Sequence, residues 1–258
     1  MNRRETLKGA AGAAGAIVLG ALGNEVFAGE NSNQTSSHNE EKSTKEGNMN
    51  TNSGHLAMNT QNTALVLIDH QVGTIGWAGE LVAEEREQLK MWTRVIARFA
   101  KGAGMPIVLT SSLETEAQGP LLPDFKTIMP EEYEKRIQRT GVINAWDDPA
   151  FVNAVKATGK KNFLMAGLTT DVCLVPPALS AKAEGFNVVA LLDISAATTK
   201  IAAQNSRDIL RHAEIEIMTV TPMITSMLGN YKNPASRGFF EAFEAEGVFA
   251  AFAKGNLR

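Results

Sequence analysis

Residues 163–173 of this chain read FLMAGLTTDVC and end at Cys173, the only cysteine in the 258-residue sequence. The apolar run at 163–167 predicts a buried strand, and residues 174–184 predict the helix that follows it. Open α/β sheets bind their ligands where such strands end. At a helix N-terminus, the unpaired N–H groups and the helix dipole favour the thiolate over the thiol. We therefore expect Cys173 to be an ionised nucleophile and not an inert buried side chain.

Strands and helices alternate on both sides of this stretch. Continuous apolar runs, such as ALVLI at 64–68, are typical of parallel strands that are buried on both faces. Strands that alternate with helices of this length predict a parallel sheet with right-handed crossovers. We expect strands at 64–69, 106–110, 136–139, 163–167, 188–192 and 216–220, and helices at 80–103, 148–158, 174–184, 199–213 and 238–254.

Two segments are predicted to precede the folded domain, which we expect at residues 59–258. Residues 1–28 contain Arg3 and Arg4, then a stretch rich in alanine and glycine, then VFA at 26–28, a pattern typical of a twin-arginine export signal. Because the apolar stretch is short and rich in glycine, we expect it to be removed and not to form a stable membrane anchor; an uncleaved N-terminal tether is the alternative. Export predicts a periplasmic location. Residues 29–58 are polar, lack aromatic side chains and predict a disordered linker.

The charge of the chain bears on its partners. The formal net charge is −3, and the basic residues form neither a stripe nor an arginine cluster. Nucleic-acid binding requires a basic surface, so we expect a small-molecule substrate and no nucleic acid. The C-terminal segment 238–254 is rich in phenylalanine, which indicates that it either docks on another subunit or covers the edge of the sheet.

Three chemically useful residues stand at the ends of predicted strands: Asp69, Arg139 and Cys173. If these strands are parallel neighbours, their C-terminal ends face one cleft. A thiolate nucleophile, a carboxylate that takes and returns the proton, and a fixed cation make a workable covalent catalyst. Taken separately, Asp69 is explained as a cap and Arg139 as half of a surface ion pair. Their joint placement favours catalysis.

Three segments in order resemble the isochorismatase-like cysteine hydrolases: LVLIDHQ at 65–71, IQRTGVINAW at 137–146 and AGLTTDVC at 166–173. The stretches TSSLE at 110–114, GPL at 119–121 and INAWD at 143–147 are most similar to the YcaC-type branch. The resemblance extends over residues 63–244 and implies an α/β fold, a three-layer αβα sandwich with a mostly parallel, Rossmann-like central sheet.

The resemblance also implies an Asp/Lys/Cys triad, in which Asp69 is the acid/base and Cys173 the nucleophile. Arg139 stands where the broader family has its lysine, in agreement with the YcaC-type branch. Arginine supplies a cation but does not donate a proton. The family further implies a cis peptide between Leu168 and Thr169, which directs the N–H groups of Thr169 and Cys173 into one oxyanion hole.

Metal and cofactor binding are not expected. Nicotinamidases of the superfamily bind a metal through an Asp and histidines in the loop after the second strand, whereas residues 111–123 here contain no histidine. His70 follows Asp69 on a strand, so its side chain is expected to point away from the cleft. The absence of metal ligands argues against nicotinamide as the substrate.

These observations predict a hydrolase that acts on a small amide-like or related C–N substrate through a covalent Cys173 intermediate. One alternative is vinyl-ether hydrolysis of the isochorismate kind, which proceeds without a cysteine. Another is a non-catalytic exported protein that uses its thiol for binding or redox sensing. Family members form homo-oligomers, and we expect the same here. The pocket walls are expected from Trp77, Leu113, Glu114, Trp146 and either Pro176 or Pro177.

Overall fold

The computed structural model describes residues 54–255, so the predicted export signal at 1–28 and most of the predicted linker at 29–58 lie outside the described residues. The end of that linker is folded. Gly54–Ala57 form a short 3-10 helix, and Met58 is only 3% exposed within the apolar core. The domain therefore begins earlier than residue 59, because Met58 is needed to fill the core beneath the helices.

The strands are close to their predicted positions. They are β1 (Thr63–Ile68), β2 (Ile107–Ser112), β3 (Ile137–Arg139), β4 (Asn162–Gly167), β5 (Asn187–Leu191) and β6 (Glu216–Met218). All neighbouring pairs are parallel, in the order β3-β2-β1-β4-β5-β6. The predicted parallel sheet is confirmed.

The helices are α1 (Ala83–Gly102), α2 (Asp124–Ile128), α3 (Pro130–Glu134), α4 (Pro149–Ala157), α5 (Val175–Ala183), α6 (Lys200–His212), α7 (Val220–Leu228), α8 (Ser236–Ala245) and α9 (Val248–Ala253). The sequence pattern did not predict α2, α3 or α7. The first two have only five residues each, which is too short for a helical period to show.

Alternate residues of each central strand enter different cores, since successive side chains of a strand point to opposite faces. In β1, Leu65 and Leu67 pack with residues of α1, α7 and α8. Val66 and Ile68 pack with residues of α4, α5 and α6 on the other face. The chain is therefore a three-layer αβα sandwich, as the resemblance implied.

The C-terminal segment is two helices and not the single one expected. Gly247 separates α8 from α9 with a φ of 66°, a left-handed conformation that glycine adopts without steric cost. Phe239 and Phe243 are buried against the core, whereas Phe240 and Phe252 are 45% and 49% exposed. The segment thus covers the sheet and also leaves apolar surface open.

The strand order places the candidate residues at one point. The chain builds β1, β2 and β3 in one direction and then returns to place β4 on the other side of β1. Ligands of open α/β sheets bind at such a switch point, outside the C-terminal strand ends. Ile68 and Gly167 are paired in the ladder, so Asp69 and the turn that carries Cys173 leave the sheet side by side.

Gly167 permits this turn to approach the sheet. A Cβ at this position would lie 3.0 Å from the carbonyl carbon of Cys173 and 3.0 Å from the nitrogen of Leu174. We expect Gly167→Ala to lower the free energy of unfolding in urea by about 1–3 kcal/mol, because backbone must move. Gly76→Ala is the matched control, since a Cβ there meets nothing within 4 Å. Equal stability of the two variants would contradict the close approach.

Candidate active site

Asp69 leaves the end of β1 in an unusual backbone conformation. Its φ is 57°, in the left-handed region that few residues other than glycine adopt. The amide of Gln71 and the hydroxyl of Thr74 donate to the Asp69 carbonyl at 2.8 and 2.6 Å and hold the turn. Backbone outliers of this kind cluster at functional sites. The turn aims the carboxylate of Asp69 into the interior, where it is 1% exposed.

Arg139 ends β3 and reaches Asp69 across β2. One terminal nitrogen of its guanidinium, Nη2, donates to both carboxylate oxygens of Asp69. Arg139 is 2% exposed, so this ion pair is shielded from water on both sides. The predicted juxtaposition of the two residues is therefore present in the structure.

Cys173 lies in a π-helical turn, Thr170–Leu174, that precedes α5. Its thiol lies close enough to Asp69 for the carboxylate to raise the pKa of the thiol through its charge and through hydrogen bonding. The turn is anchored by the amide of Thr170, which donates to the Ala196 carbonyl at 2.9 Å. Asp69, Arg139 and Cys173 thus form one contiguous cluster, which we call the Asp–Arg–Cys cluster.

The surroundings of the sulfur do not favour the thiolate that we expected. Burial raises the pKa of the Cys173 thiol most, and the charge and hydrogen bond of Asp69 raise it further. The amide of Thr169 and the charge of Arg139 lower the pKa, but by less. The net direction is upward because a carboxylate faces the sulfur and because Cys173 precedes α5.

Asp69 is under opposing influences. Burial raises the pKa of its carboxyl, while the charge and hydrogen bonds of Arg139, and then the hydrogen bond from Cys173, lower it. The net direction is upward. A carboxylate with a raised pKa is a stronger base than one in water, which suits it to take the proton of a neighbouring thiol.

The two predicted oxyanion donors are not equivalent. The peptide between Leu168 and Thr169 is cis, as the resemblance implied. The N–H of Cys173 donates to the Thr169 carbonyl at 2.7 Å, so the turn uses it for its own closure. The amide of Thr169 instead lowers the pKa of the Cys173 thiol, which leaves Thr169 as the better candidate for an oxyanion donor.

Trp146 is a core residue and not a pocket wall. It is 7% exposed and packs with Phe151, Phe163 and Phe186 beneath the sheet. Its indole N–H donates to Glu184 at 2.8 Å. The predicted wall is wrong because Asn144 caps a 3-10 helix, Ala145–Asp147, and that helix turns the ring inward.

Glu114 is also occupied elsewhere. Its carboxylate accepts hydrogen bonds from Nε and Nη2 of Arg136 at 2.7 and 2.9 Å, and from the Ser111 hydroxyl at 2.6 Å. The Arg136 hydrogen bond is the largest cause that lowers the pKa of Glu114. Arg136 in turn lies 4.4 Å over the ring of Tyr133. Glu114 therefore clamps the loop after β2, and its predicted place in the substrate pocket is not supported.

The other predicted wall residues lie on segments at the same edge of the sheet as the cluster. Trp77 closes a 3-10 helix after β1 and is 46% exposed. Leu113 follows β2 with a φ of 45°. Pro177 is buried and Pro176 half-buried in the first turn of α5. Trp77 and Leu113 remain available to a ligand, whereas Pro177 supports the core.

His70 points away from the cluster, as expected. It is fully buried, its Nε2 lies 2.8 Å from the Ile194 carbonyl, and its ring packs 6.3 Å from that of Phe125. Burial lowers its pKa to about 4, so the imidazole is neutral at pH 7. Its hydrogen bond and packing make it a structural residue.

Metal ligands and membrane spans are both absent from residues 54–255. No group of three or more His, Cys, Asp or Glu side chains in that range is placed to hold a metal ion. No helix there is both long enough and apolar enough to cross a membrane.

Sequence reasoning missed the groups that surround Arg139. Thr110 accepts from its Nε at 3.1 Å, and the carbonyls of Val142 and Ile143 accept from Nη1. The hydroxyl of Thr110 at a predicted strand end was an available signal. The two backbone carbonyls offer no such signal in the sequence, because every residue has a backbone carbonyl.

Known proteins are similar to this chain in sequence and in fold. The Isochorismatase domain family matches residues 63–222. "Probable hydrolase YcaC" of Escherichia coli (strain K12) is 38% identical over 165 residues, which are 64% of this chain and 77% of that protein. The solved structure of YcaC from Pseudomonas aeruginosa, with hexane-2,5-diol and covalent acrylamide, matches with a TM-score of 0.71 and 30% identity over 80% of this chain and 98% of that one.

A second solved structure is YcaC of E. coli, described as an octameric hydrolase of unknown specificity. It matches with a TM-score of 0.68 and 31% identity, over 76% of this chain and 96% of that chain. The family match spans the strands and turns that carry the whole Asp–Arg–Cys cluster. This protein belongs to the isochorismatase family of hydrolases, and its similarity is to the YcaC-type branch.

Replacing Asp69 by asparagine tests the electrostatics of the thiol. Asparagine tolerates the left-handed backbone, so the turn is kept while the charge that raises the pKa of Cys173 is lost. We expect the pH at which iodoacetamide alkylation reaches half its maximal rate to fall by about one pH unit or more. The measurement is the alkylation rate of Cys173 against pH, followed by mass spectrometry.

Asp193→Asn is the matched control. This carboxylate accepts from the amide of Val220, the first residue of α7, at 2.9 and 3.0 Å, and it is not among the groups that shift the pKa of Cys173. Its variant should leave the alkylation profile unchanged. A profile that stays in place or moves to higher pH in Asp69→Asn is incompatible with a carboxylate that holds the thiol neutral.

Proposed function

We propose that this protein hydrolyses a small, uncharged amide-like or related C–N substrate through a covalent intermediate on Cys173. The observation that carries the proposal is the placement of Cys173 beside a buried carboxylate, Asp69, which is itself oriented by Arg139; burial raises the pKa of that carboxyl. A nucleophile paired with an adjacent base that is itself oriented by a third group is the general signature of covalent catalysis.

In the first half-reaction, the sulfur of Cys173 forms a bond to the substrate carbonyl carbon while its proton passes to Asp69. The Thr169 N–H stabilises the oxygen as it becomes negative. The C–N bond then breaks, and Asp69 returns the proton to the leaving amine. The product of this half-reaction is a thioester on Cys173. With a nitrile no group leaves: the sulfur adds to the nitrile carbon, Asp69 passes the proton to the nitrile nitrogen, and the product is a thioimidate.

In the second half-reaction, water attacks the thioester carbon and gives a proton to Asp69. The C–S bond breaks, the acid product leaves, and the proton returns to the sulfur. Arg139 keeps its charge throughout, since guanidinium does not deprotonate in proteins. Its positive charge holds the Asp69 carboxylate in place, while the proton moves only between Asp69, Cys173 and the reacting groups.

Chemistry of a relative supports a reactive site in this fold. The P. aeruginosa YcaC structure carries covalent acrylamide, which is both an amide and an electrophile. The alternative of vinyl-ether hydrolysis requires no cysteine and leaves the contact between Asp69 and the Cys173 thiol without a role. If the protein were instead an inert exported thiol protein, the ion pair between Asp69 and Arg139 would have no role.

The rim around the cluster favours an uncharged substrate. The loops that follow β1, β2, β3 and β4 all expose apolar side chains at the C-terminal edge of the sheet. These are Val72 at 44% exposure, Trp77 at 46%, Leu113 at 36%, Val142 at 37%, Ile143 at 68% and Val172 at 41%. Burial against such a rim is favourable for apolar groups and unfavourable for charged groups.

Single substitutions in the cluster test the proposal. With a library of small amides and nitriles, we expect Cys173→Ala to abolish turnover, and Asp69→Asn to lower kcat by about 10²–10⁴-fold, because proton transfer is lost. Intact-mass spectrometry should find a covalent adduct in the parent and none in Cys173→Ala. Asp193→Asn is the control and should react as the parent does. Turnover by Cys173→Ala at the parent rate would disprove the covalent route.

We further propose that the protein is exported to the periplasm and forms a homo-oligomer. The paired Arg3 and Arg4 and the apolar stretch after them support export. The octameric state of E. coli YcaC and the exposed Phe240 and Phe252 support assembly.

One experiment addresses both statements. Cells expressing the full chain are fractionated, and the protein in the periplasmic fraction is analysed by light scattering. We expect the parent in that fraction at a mass of several chains. Arg3→Lys with Arg4→Lys should leave the protein in the cytoplasm, while Lys42→Arg with Lys45→Arg should not. A monomer, or equal export of the Arg3/Arg4 variant, rejects the corresponding statement.

A further inference from the structure

The guanidinium of Arg139 is held by protein acceptors at all three of its nitrogens. Nε donates to Thr110 Oγ1 at 3.1 Å, Nη1 to the carbonyls of Val142 and Ile143, and Nη2 to the two oxygens of Asp69. The side chain is also buried. We therefore expect Arg139 to act on the reaction through Asp69 and not through contact with a substrate.

Thr110 is the only side chain besides Asp69 among these five described acceptors. The other two residues contribute backbone carbonyls, which no substitution removes. Thr110 is the last residue of β2 that pairs with β1 and the first that pairs with β3, so the ladder places it between Ile68 and Ile137. It is fully buried, so water does not replace its hydroxyl.

The orientation of that hydroxyl is set by a second hydrogen bond. Thr110 Oγ1 donates its hydrogen to the Ile137 carbonyl at 2.8 Å. Since its hydrogen is committed, the oxygen meets Arg139 Nε as an acceptor. A β-branched side chain has few allowed rotamers, so the oxygen has little freedom to follow a moving guanidinium. The contact thus fixes the plane in which Nη2 faces Asp69.

We propose that Thr110 is a positioning residue, which orients Arg139 and, through it, the carboxylate that exchanges a proton with Cys173. The proposal rests on the proposed function for its kinetic consequence but not for its electrostatic one. Without the Thr110 oxygen, Nε is a buried donor with no acceptor, and the guanidinium rotates to find another. Asp69 then loses the geometry of its two hydrogen bonds.

Thr110→Val tests the proposal, because valine keeps the branched shape and removes only the hydroxyl. We expect kcat to fall by about 10-fold or more with KM within about 2-fold, as for loss of an interaction used in the transition state. We also expect the alkylation profile of Cys173 to move along the pH axis by about 0.5 unit or more, since the charges around the sulfur are rearranged. Thr110→Ser should restore both parent values.

Thr93→Val is the matched control. Thr93 is equally buried, and its hydroxyl donates to the Leu89 carbonyl at 2.8 Å within α1, remote from the ion pair. Its variant should change stability alone. Thr110→Ala provides the same readouts if Thr110→Val does not fold.

The outcomes are separable. A Thr110→Val protein with an unmoved alkylation profile and parent kcat overturns the proposal, as does a Thr110→Ser protein that behaves like Thr110→Val. A shifted profile in a protein for which no amide or nitrile is hydrolysed rejects the proposed function but supports the positioning role, because alkylation needs no substrate.

Discussion

The buried ion pair between Asp69 and Arg139 is the interaction on which the rest of the site depends. Neither side chain reaches water, and removing one partner of such a pair costs about 3–5 kcal/mol, since the other charge is left uncompensated. The pair is tolerated because each of its charged groups is hydrogen-bonded to the protein or to its partner. Strand order, the left-handed turn at Asp69 and the loop after β3 are all required for that geometry.

The same pair sets the electrostatics at the sulfur. A cation next to a cysteine ordinarily favours the thiolate, but here Arg139 is hydrogen-bonded to the carboxylate of Asp69, and the charge of that carboxylate raises the pKa of Cys173. In the proposed mechanism, the nucleophile is therefore generated as it attacks. A neutral thiol is less susceptible to oxidation than a thiolate.

The residues around the cluster allow the turns that carry it to lie close to the strand ends. Gly167 admits the cysteine turn against the end of β4, and Ser195 bridges β4 to the chain after β5 by accepting from the Gly167 amide at 3.1 Å and donating to the Leu191 carbonyl at 2.7 Å. Gln71 similarly links the ends of β1 and β2 through both groups of its amide. The Asp–Arg–Cys cluster is therefore held at the ends of hydrogen-bonded strands, while the apolar rim lies on loops.

The α/β class, the approximate strands and the three clustered residues could be predicted from the amino-acid sequence, because apolar runs and strand-end positions are local patterns. The sequence did not indicate the raised pKa of Cys173, the inward turn of Trp146, the engagement of Glu114 by Arg136, or the contact of Thr110 with Arg139. Those features depend on burial and on partners far along the chain: Asp69 and Arg139 are 70 residues apart in sequence. Desolvation and buried hydrogen bonds arise only when the layers pack together, so they follow from the fold and not from any local pattern.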